Sequence, residues 1–212
     1  MAIPTTLTAP IRTARLDLAP LRVEDAREMV AVLADPALYG FIGGTPPSLA
    51  ELARRYRAQV RGRSGDGREE WHNWIVRERS SNTAIGFVQA TIVGRGDPAD
   101  GGGRRSDGAA RERRAGPAEW GEGDERVPEA EVAEAEVSEA EVAWLIGTAW
   151  QRRGYASEAA AGLVGWLRGT GIETIVAHVH PDHVGSATVA GRIGLVPTDV
   201  FLDGERAWRR RG

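Results

Sequence analysis

The sequence predicts a mixed α/β layer fold. Strand-like and helix-like segments follow each other in the order β-α-α-β-β-β-α-β-α-β-β, which is typical of a sheet covered by helices. A polar stretch of low complexity, residues 94–139, separates the third and fourth predicted strands. We expect residues 1–212 to form one domain, with 94–139 as an insertion within it.

One strand and two helices are predicted before residue 61. Residues 15–21 alternate apolar and polar side chains, as a half-buried strand does. Residues 23–34 carry apolar side chains at helical spacing, and Asp35-Pro36 ends that helix. Ser48 and Glu51 form a capping-box pattern, which predicts a second helix from there to about Val60.

The middle of the chain contains two predicted strands and then changes character. The strands cover about 74–79 and 84–93. Residues 94–123 are rich in glycine and arginine and nearly lack apolar side chains, so we predict that they are disordered. Residues 129–142 repeat every five residues, which matches neither packed period. We interpret them as a solvated acidic linker, with a partner-binding element as the alternative.

The last part of the chain returns to strongly patterned segments. The predicted elements are a strand at 142–146, a helix at 154–168, a strand at 174–180, a short helix at 186–192, and strands near 198–202 and 206–209. Asp203-Gly204 between the last two strands is a typical hairpin turn.

The turn between residues 146 and 155 predicts a phosphate-binding site. A helix that starts on small residues directs free N–H groups outward, and its N-terminus has about half a positive charge. A dinucleotide fingerprint is not found in the required position, and a triphosphate loop needs a lysine, which the chain lacks. A different phosphorylated cofactor is therefore expected.

The motif Gln151-Arg152-Arg153-Gly154-Tyr155-Ala156 resembles the acyl-coenzyme A pyrophosphate loop of the GNAT acetyltransferase superfamily. The strand that ends at His180, with His183 and Ser186 after it, is similar to the RimJ/RimL-type branch, although that branch usually has asparagine at the position of His183. Residues 15–26 resemble the family's first strand and first helix, and residues 73–89 resemble its central hairpin.

The resemblance implies a central, mostly antiparallel sheet flanked by helices. It also implies an acetyl-CoA-dependent N-acetyltransferase that transfers the acetyl group directly to an amine of a small molecule or protein N-terminus. The strand before Gly147 would pair with pantetheine, and Gly147 would ease a local splay or bulge. The implied cofactor-binding residues are Leu145, Ile146, Gly147, Gln151, Arg152, Arg153, Gly154, Tyr155, Ala156, Ser157 and His183.

The catalytic residues are less well determined by the sequence. Ser186 is the candidate donor to the leaving thiolate, and a helix N-cap is its alternative role. RimL-like enzymes place a carboxylate where Val200 stands here, with Asp199 beside it. Glu205 and Glu141 are the other candidate bases. Four aromatic residues either form the wall of an acceptor pocket or belong to the core: Tyr39, Phe41, Trp71 and Trp74.

Composition excludes several other classes of function. A net charge of −3 disfavours a nucleic-acid binder, and no apolar run is long enough for a membrane span. Without cysteine, acyl transfer cannot proceed through an acyl-cysteine. His178, His180, Asp182 and His183 are interpreted as packing and loop residues rather than a metal site. We expect a cytoplasmic monomer or homodimer, and the alternative function is a non-catalytic coenzyme A-binding or partner-binding domain.

Overall fold

The computed structural model describes residues 8–93 and 139–210. The predictions for residues 94–138 lie outside the described residues. The strands are β1 (Ile11–Arg12), β2 (Leu16–Pro20), β3 (Glu69–Glu78), β4 (Thr83–Val93), β5 (Glu139–Ile146), β6 (Thr174–Val179), β7 (Leu195–Leu202) and β8 (Glu205–Arg210). The α-helices are α1 (Ala26–Val32), α2 (Tyr39–Ile42), α3 (Leu49–Gln59), α4 (Tyr155–Gly169) and α5 (Val184–Arg192).

The strands form one sheet in the order β1-β2-β3-β4-β5-β6-β8-β7. Every neighbouring pair is antiparallel except β5 and β6, which are parallel because α4 provides the crossover between them. The predicted fold class, a mostly antiparallel sheet flanked by helices, is confirmed. No helix in the described part of the chain is both long and apolar enough to cross a bilayer.

Helices cover both faces of the sheet. Helix α4 contributes Leu163 and Leu167 to the larger apolar cluster, which also contains Trp74 and Val76 of β3. Helices α1 and α3 lie over the opposite face, where Met29 and Leu52 pack in a second cluster. These two faces of the sheet are called here the α4 face and the α1/α3 face, and each has its own apolar cluster.

Two strands begin earlier than the sequence pattern indicated. Strand β3 starts at Glu69 rather than near Trp74, because Glu69 and His72 are buried polar residues that interrupt the apolar pattern. Strand β5 starts at Glu139, so the end of the five-residue repeat is strand and not linker. Ala140 and Val142 lie in the larger core cluster, and this burial decides the conformation.

Local sequence signals correctly predicted the start of one helix and one hairpin turn. Ser48 and Glu51 form the expected capping box, since the Glu51 N–H donates to the Ser48 hydroxyl and the Ser48 N–H donates to the Glu51 carboxylate. Asp203 and Gly204 have φ of 49° and 81°, as a type I′ hairpin turn requires. The short elements β1 and α2 were not predicted, because two and four residues are too few for a periodic pattern.

A buried histidine makes stability depend on pH. His72 is 2% exposed, packs against the rings of Trp74 and Trp166, and forms a 2.9 Å hydrogen bond between Nδ1 and the Thr8 hydroxyl. Burial lowers the pKa of His72 below its ordinary value of 6.5, although neighbouring Glu70 opposes this effect. The folded protein therefore favours the neutral imidazole.

Acidification should reduce the contribution of His72 to stability. The unfolded chain takes up a proton near pH 6.5 and the folded chain only at lower pH, so the free energy of unfolding falls as pH decreases through 6.5. We expect the stability difference between wild type and His72→Gln to narrow between pH 7.5 and pH 5.5 in urea unfolding. A difference that stayed constant over this range would contradict the assignment.

Candidate active site

The sheet opens between its two parallel strands. Strands β5 and β6 pair only through Glu139–Glu141 with Thr174–Val176, at their N-terminal ends. Beyond Glu141, β5 continues to Ile146 and stays paired with β4, but no described strand pairs with its other edge. Apart from the Ile146 carbonyl, which accepts from Gln151, the backbone N–H and C=O groups on that edge are therefore available to an extended ligand.

The turn after β5 has the backbone conformation of an anion-binding loop. Arg152 has φ of 60° and Gly154 has φ of 82°, both in the left-handed region. No side chain caps α4 at Gly154, so none of its first-turn N–H groups is occupied by a cap. The side-chain amide of Gln151 donates to the Ile146 carbonyl at 2.9 Å and so fixes the turn against the end of β5. These features fit a pyrophosphate.

Arg153, the second arginine of the turn, is held by neighbouring side chains of the protein. Arg153 forms an ion pair with Glu78 at 3.2 Å, and its guanidinium lies 4.8 Å from the centroid of the Tyr155 ring. The Tyr155 hydroxyl donates a short hydrogen bond to Glu78, and this bond is the main reason that the pKa of Glu78 is lowered. Arg15 covers the same ring at 4.6 Å and donates to the Arg153 carbonyl. Arg153 therefore stabilises the turn.

One further cation, which is not among the predicted cofactor-binding residues, lies near this turn. Arg192, the last residue of α5, donates to the Ser157 hydroxyl at 3.4 Å. Ser157 lies in the first turn of α4, so an exposed guanidinium from a second helix approaches the same N-terminus. No local motif marks Arg192, because only the packing of α5 beside α4 brings it there.

The glycine at the end of β5 allows a close contact between helix and sheet. Strands β4 and β5 pair in continuous register up to Gly86 and Ile146, so Gly147 does not produce a bulge in this strand. A Cβ at Gly147 would lie only 2.9 Å from Cγ1 of Val32. Gly147 is therefore required for the close approach of α1, and its N–H donates to the Ile85 carbonyl. Leu145 and Ile146 are buried on opposite faces of the sheet.

A carboxylate and an imidazole meet where the sheet opens. Glu141, the last residue of β5 that pairs with β6, lies 2.9 Å from Nδ1 of His178 on β6. The side chains are 44% and 15% exposed, so the carboxylate remains accessible from the α1/α3 face. The sequence showed that His178 and His180 share one face of a strand. It did not show that His178 contacts Glu141, because that contact depends on the register between β5 and β6.

The loop after β6 is organised by His183. Its Nδ1 accepts a hydrogen bond from the Ser186 N–H at 3.4 Å, so His183, rather than Ser186, caps α5. The alternative N-cap role for Ser186 is therefore wrong, and the helix begins at Val184 instead of Ser186. Phe41 stacks on the His183 ring at 4.5 Å, and burial lowers the pKa of His183.

The two other candidate carboxylates lie farther along the sheet. Asp199 is exposed on β7, the edge strand, which is three strands and roughly 14 Å away from β5. Glu205 begins β8, next to the C-terminal end of β6, because Arg206 pairs with Val179. Of the two, Glu205 is nearer to the sheet opening.

Most of the candidate pocket aromatics belong to the core. Tyr39, Trp71 and Trp74 are buried, and only Phe41, at 43% exposure, presents a ring to solvent. The histidines of the loop do not form a metal site with Asp182, since no group of three or more potential ligands is close enough within residues 8–93 and 139–210.

Comparison with known proteins establishes the family. The family model of the acetyltransferase (GNAT) domain matches residues 15–196, so the chain belongs to that family. It is an N-acetyltransferase that uses acetyl-CoA as cosubstrate. The predicted enzyme class and cosubstrate are therefore confirmed, and the alternative, a non-catalytic binding domain, is not supported. No curated protein matches the chain.

Solved structures show the same fold. A RimL ribosomal L7/L12 α-N-protein acetyltransferase in complex with coenzyme A has a TM-score of 0.62 at 13% identity, covering 95% of this chain and 97% of that one. An acetyltransferase from Agrobacterium tumefaciens has a TM-score of 0.60 at 23% identity, covering 100% and 96%. A putative GNAT-family acetyltransferase from Bordetella pertussis has a TM-score of 0.58 at 20% identity, covering 96% and 99%.

Proposed function

We propose that this enzyme acetylates an amine of a small molecule or protein N-terminus by direct transfer, with Glu141 and His178 receiving the amine proton. The observation that supports this proposal most is their 2.9 Å contact at the sheet opening. We also propose that the chain belongs to the RimJ/RimL-type branch, because the loop from His183 to Ser186 resembles that branch. Its expected location is the cytoplasm.

An amine must lose its proton before it can attack a thioester. The pKa is about 10 for an alkyl amine and about 8 for a protein N-terminus, so both are mostly protonated at neutral pH and need a proton acceptor. In the proposed arrangement Glu141 accepts a hydrogen bond from Nδ1 of His178, and the two side chains act as one proton-accepting pair. The acceptor amine would reach this pair directly or through one water molecule.

The remaining steps use backbone groups and one hydroxyl. Acetyl-CoA supplies the thioester, and unpaired N–H groups on the outer edge of β5 would polarise its carbonyl. The turn from Gln151 to Ser157 would hold the pyrophosphate, with His183 as a further contact. Ser186 would donate a proton to the leaving thiolate, which needs only a weak donor because its pKa is near 8.5. Glu205 and then Asp199 are the alternative bases.

Direct transfer can be tested without knowledge of the natural acceptor. Incubation with acetyl-CoA alone should leave the intact mass of the protein unchanged, and a panel of amines should contain members that release free coenzyme A thiol. A transient acetyl-protein that disappears when amine is added would contradict direct transfer. If no amine or peptide N-terminus released thiol, acetylation of amines would be excluded.

A further inference from the structure

A cavity lies on the α1/α3 face beside the sheet opening. It is a small pocket, partly open to solvent, between α3 and strands β3 and β4. Its polar and aromatic lining includes Arg55, Tyr56, Gln59, Asn73, Phe87 and Gln89. Its interior admits a small polar group, such as one carboxylate, and the rest of an acceptor would extend towards solvent.

The strand register places this cavity next to the proposed reaction site. Phe87 and Gln89 of β4 lie directly opposite Leu145 and Ala143 of β5. Residues opposite each other in an antiparallel pair point to the same face, so the cavity and Glu141 share the α1/α3 face. Adjacent strands are about 4.8 Å apart, which is a short distance for an acceptor that bridges both sites.

Arg55 brings an unbalanced positive charge to the cavity. Its guanidinium is half-buried, and within the described ranges no carboxylate lies at ion-pair distance from it. The nearest acidic neighbour along α3, Glu51, is already hydrogen-bonded to Ser48. Burial lowers the pKa of Arg55, although an arginine remains charged at neutral pH. A partly desolvated cation without a counterion is costly, so an anionic ligand would stabilise it.

Tyr56 adds a hydrogen-bond donor that no described residue uses. The residue is 4% exposed, and its buried hydroxyl has no hydrogen-bond partner in the part of the chain that the structure describes. Burial raises the pKa of Tyr56, so the hydroxyl stays protonated. Buried polar groups are nearly always paired, and an exception next to a cavity indicates a ligand.

We infer that the acceptor is an amine that also carries a carboxylate, and that Arg55 and Tyr56 bind this carboxylate. The inference rests on the proposed function, since it identifies the acceptor of the same reaction. A guanidinium can bind both carboxylate oxygens, and the Tyr56 hydroxyl can donate to one of them. A polycationic amine would instead meet an uncompensated positive charge. The carboxylate belongs either to a free amino-acid-like acceptor or to an acidic side chain near a peptide N-terminus.

Matched acceptors test this inference. Wild type should acetylate a free amino acid or an acidic peptide N-terminus with a kcat/KM at least about tenfold higher than the corresponding carboxamide. Arg55→Gln should remove this preference, because it lowers kcat/KM for the acceptor with a carboxylate and not for the carboxamide. Arg57→Gln, on the exposed side of α3, should preserve the preference. A comparison of kcat/KM between the free amino acid and the acidic peptide shows which of the two supplies the carboxylate.

A binding measurement separates recognition from catalysis. An N-acetylated product with a free carboxylate should raise the melting temperature of wild type but not of Arg55→Gln, and its carboxamide should raise neither. Tyr56→Phe should bind the product more weakly without losing stability, because the hydroxyl has no partner to lose. Equal rates with carboxylate and carboxamide acceptors would overturn the inference but leave direct acetyl transfer intact, since thiol would still be released.

Discussion

Replacing His178 with glutamine is expected to lower kcat by about 10²–10⁴-fold, the usual contribution of a general base. The same change should leave the affinity for acetyl-CoA unchanged, because His178 lies on the α1/α3 face and not in the turn before α4. Glu141→Gln should also lower kcat, since the amide no longer holds the imidazole through a charged hydrogen bond. Steady-state kinetics at saturating acetyl-CoA measure both effects.

A neighbouring carboxylate provides the matched control. Glu139 lies two residues before Glu141 on the same strand and the same face, where it forms an ion pair with Arg209 at 2.9 Å. Glu139→Gln should keep a kcat close to that of wild type. Equal losses in Glu139→Gln and Glu141→Gln would show that charge on this strand acts structurally, and a His178→Gln variant with normal kcat would refute the proposed base.

A pH profile distinguishes a base from a positioning role. If His178 accepts the proton, the rise of kcat/KM with pH in wild type should flatten in His178→Gln, while the melting temperature at neutral pH stays similar. A variant that retained the wild-type profile at a uniformly lower rate would assign His178 to positioning. Glu205→Gln, measured in the same way, would then be the next candidate.

The sequence predicted the fold better than the site because their determinants differ in range. The capping box at Ser48 and the turn at Asp203-Gly204 are local, and both were predictive. The pair of Glu141 and His178 depends on the register of two strands joined by a crossover, which no local pattern specifies. The resemblance indicated only the position of Val200 and its neighbour Asp199, and the distances of all the candidate carboxylates from the opening became visible only in the folded chain.

Buried polar residues account for the other differences. Glu69 and His72 interrupt the apolar pattern of β3, so the predicted strand began about five residues late, near Trp74. Likewise, the two arginines of the turn are equivalent in the sequence, and only the position of Glu78 at the end of β3 distinguishes them. Long-range charge pairing, which composition does not reveal, therefore decides which arginine is available to a ligand.

Arg152 should contribute more to acetyl-CoA affinity than Arg153. A charge-assisted hydrogen bond to phosphate contributes about 1.5–3 kcal/mol, so Arg152→Gln should raise Kd by about 10–100-fold, and Arg152→Glu should raise it further. Arg153→Gln should leave Kd nearly unchanged, because that guanidinium is paired with Glu78. Calorimetric titration with acetyl-CoA measures these affinities, and the difference should diminish at high salt.

Stability provides the complementary readout for the two arginines. Arg153→Gln should lower the melting temperature slightly, because an ion pair that solvent can reach contributes little to stability, and Arg152→Gln should not lower it. The backbone of the turn is held by Gly154 and by Gln151 in both variants, so neither should disrupt α4. Normal affinity in Arg152→Glu would show that the turn does not bind the pyrophosphate with this side chain. Equal losses of affinity in both glutamine variants would show that Arg153 also leaves Glu78 when acetyl-CoA binds.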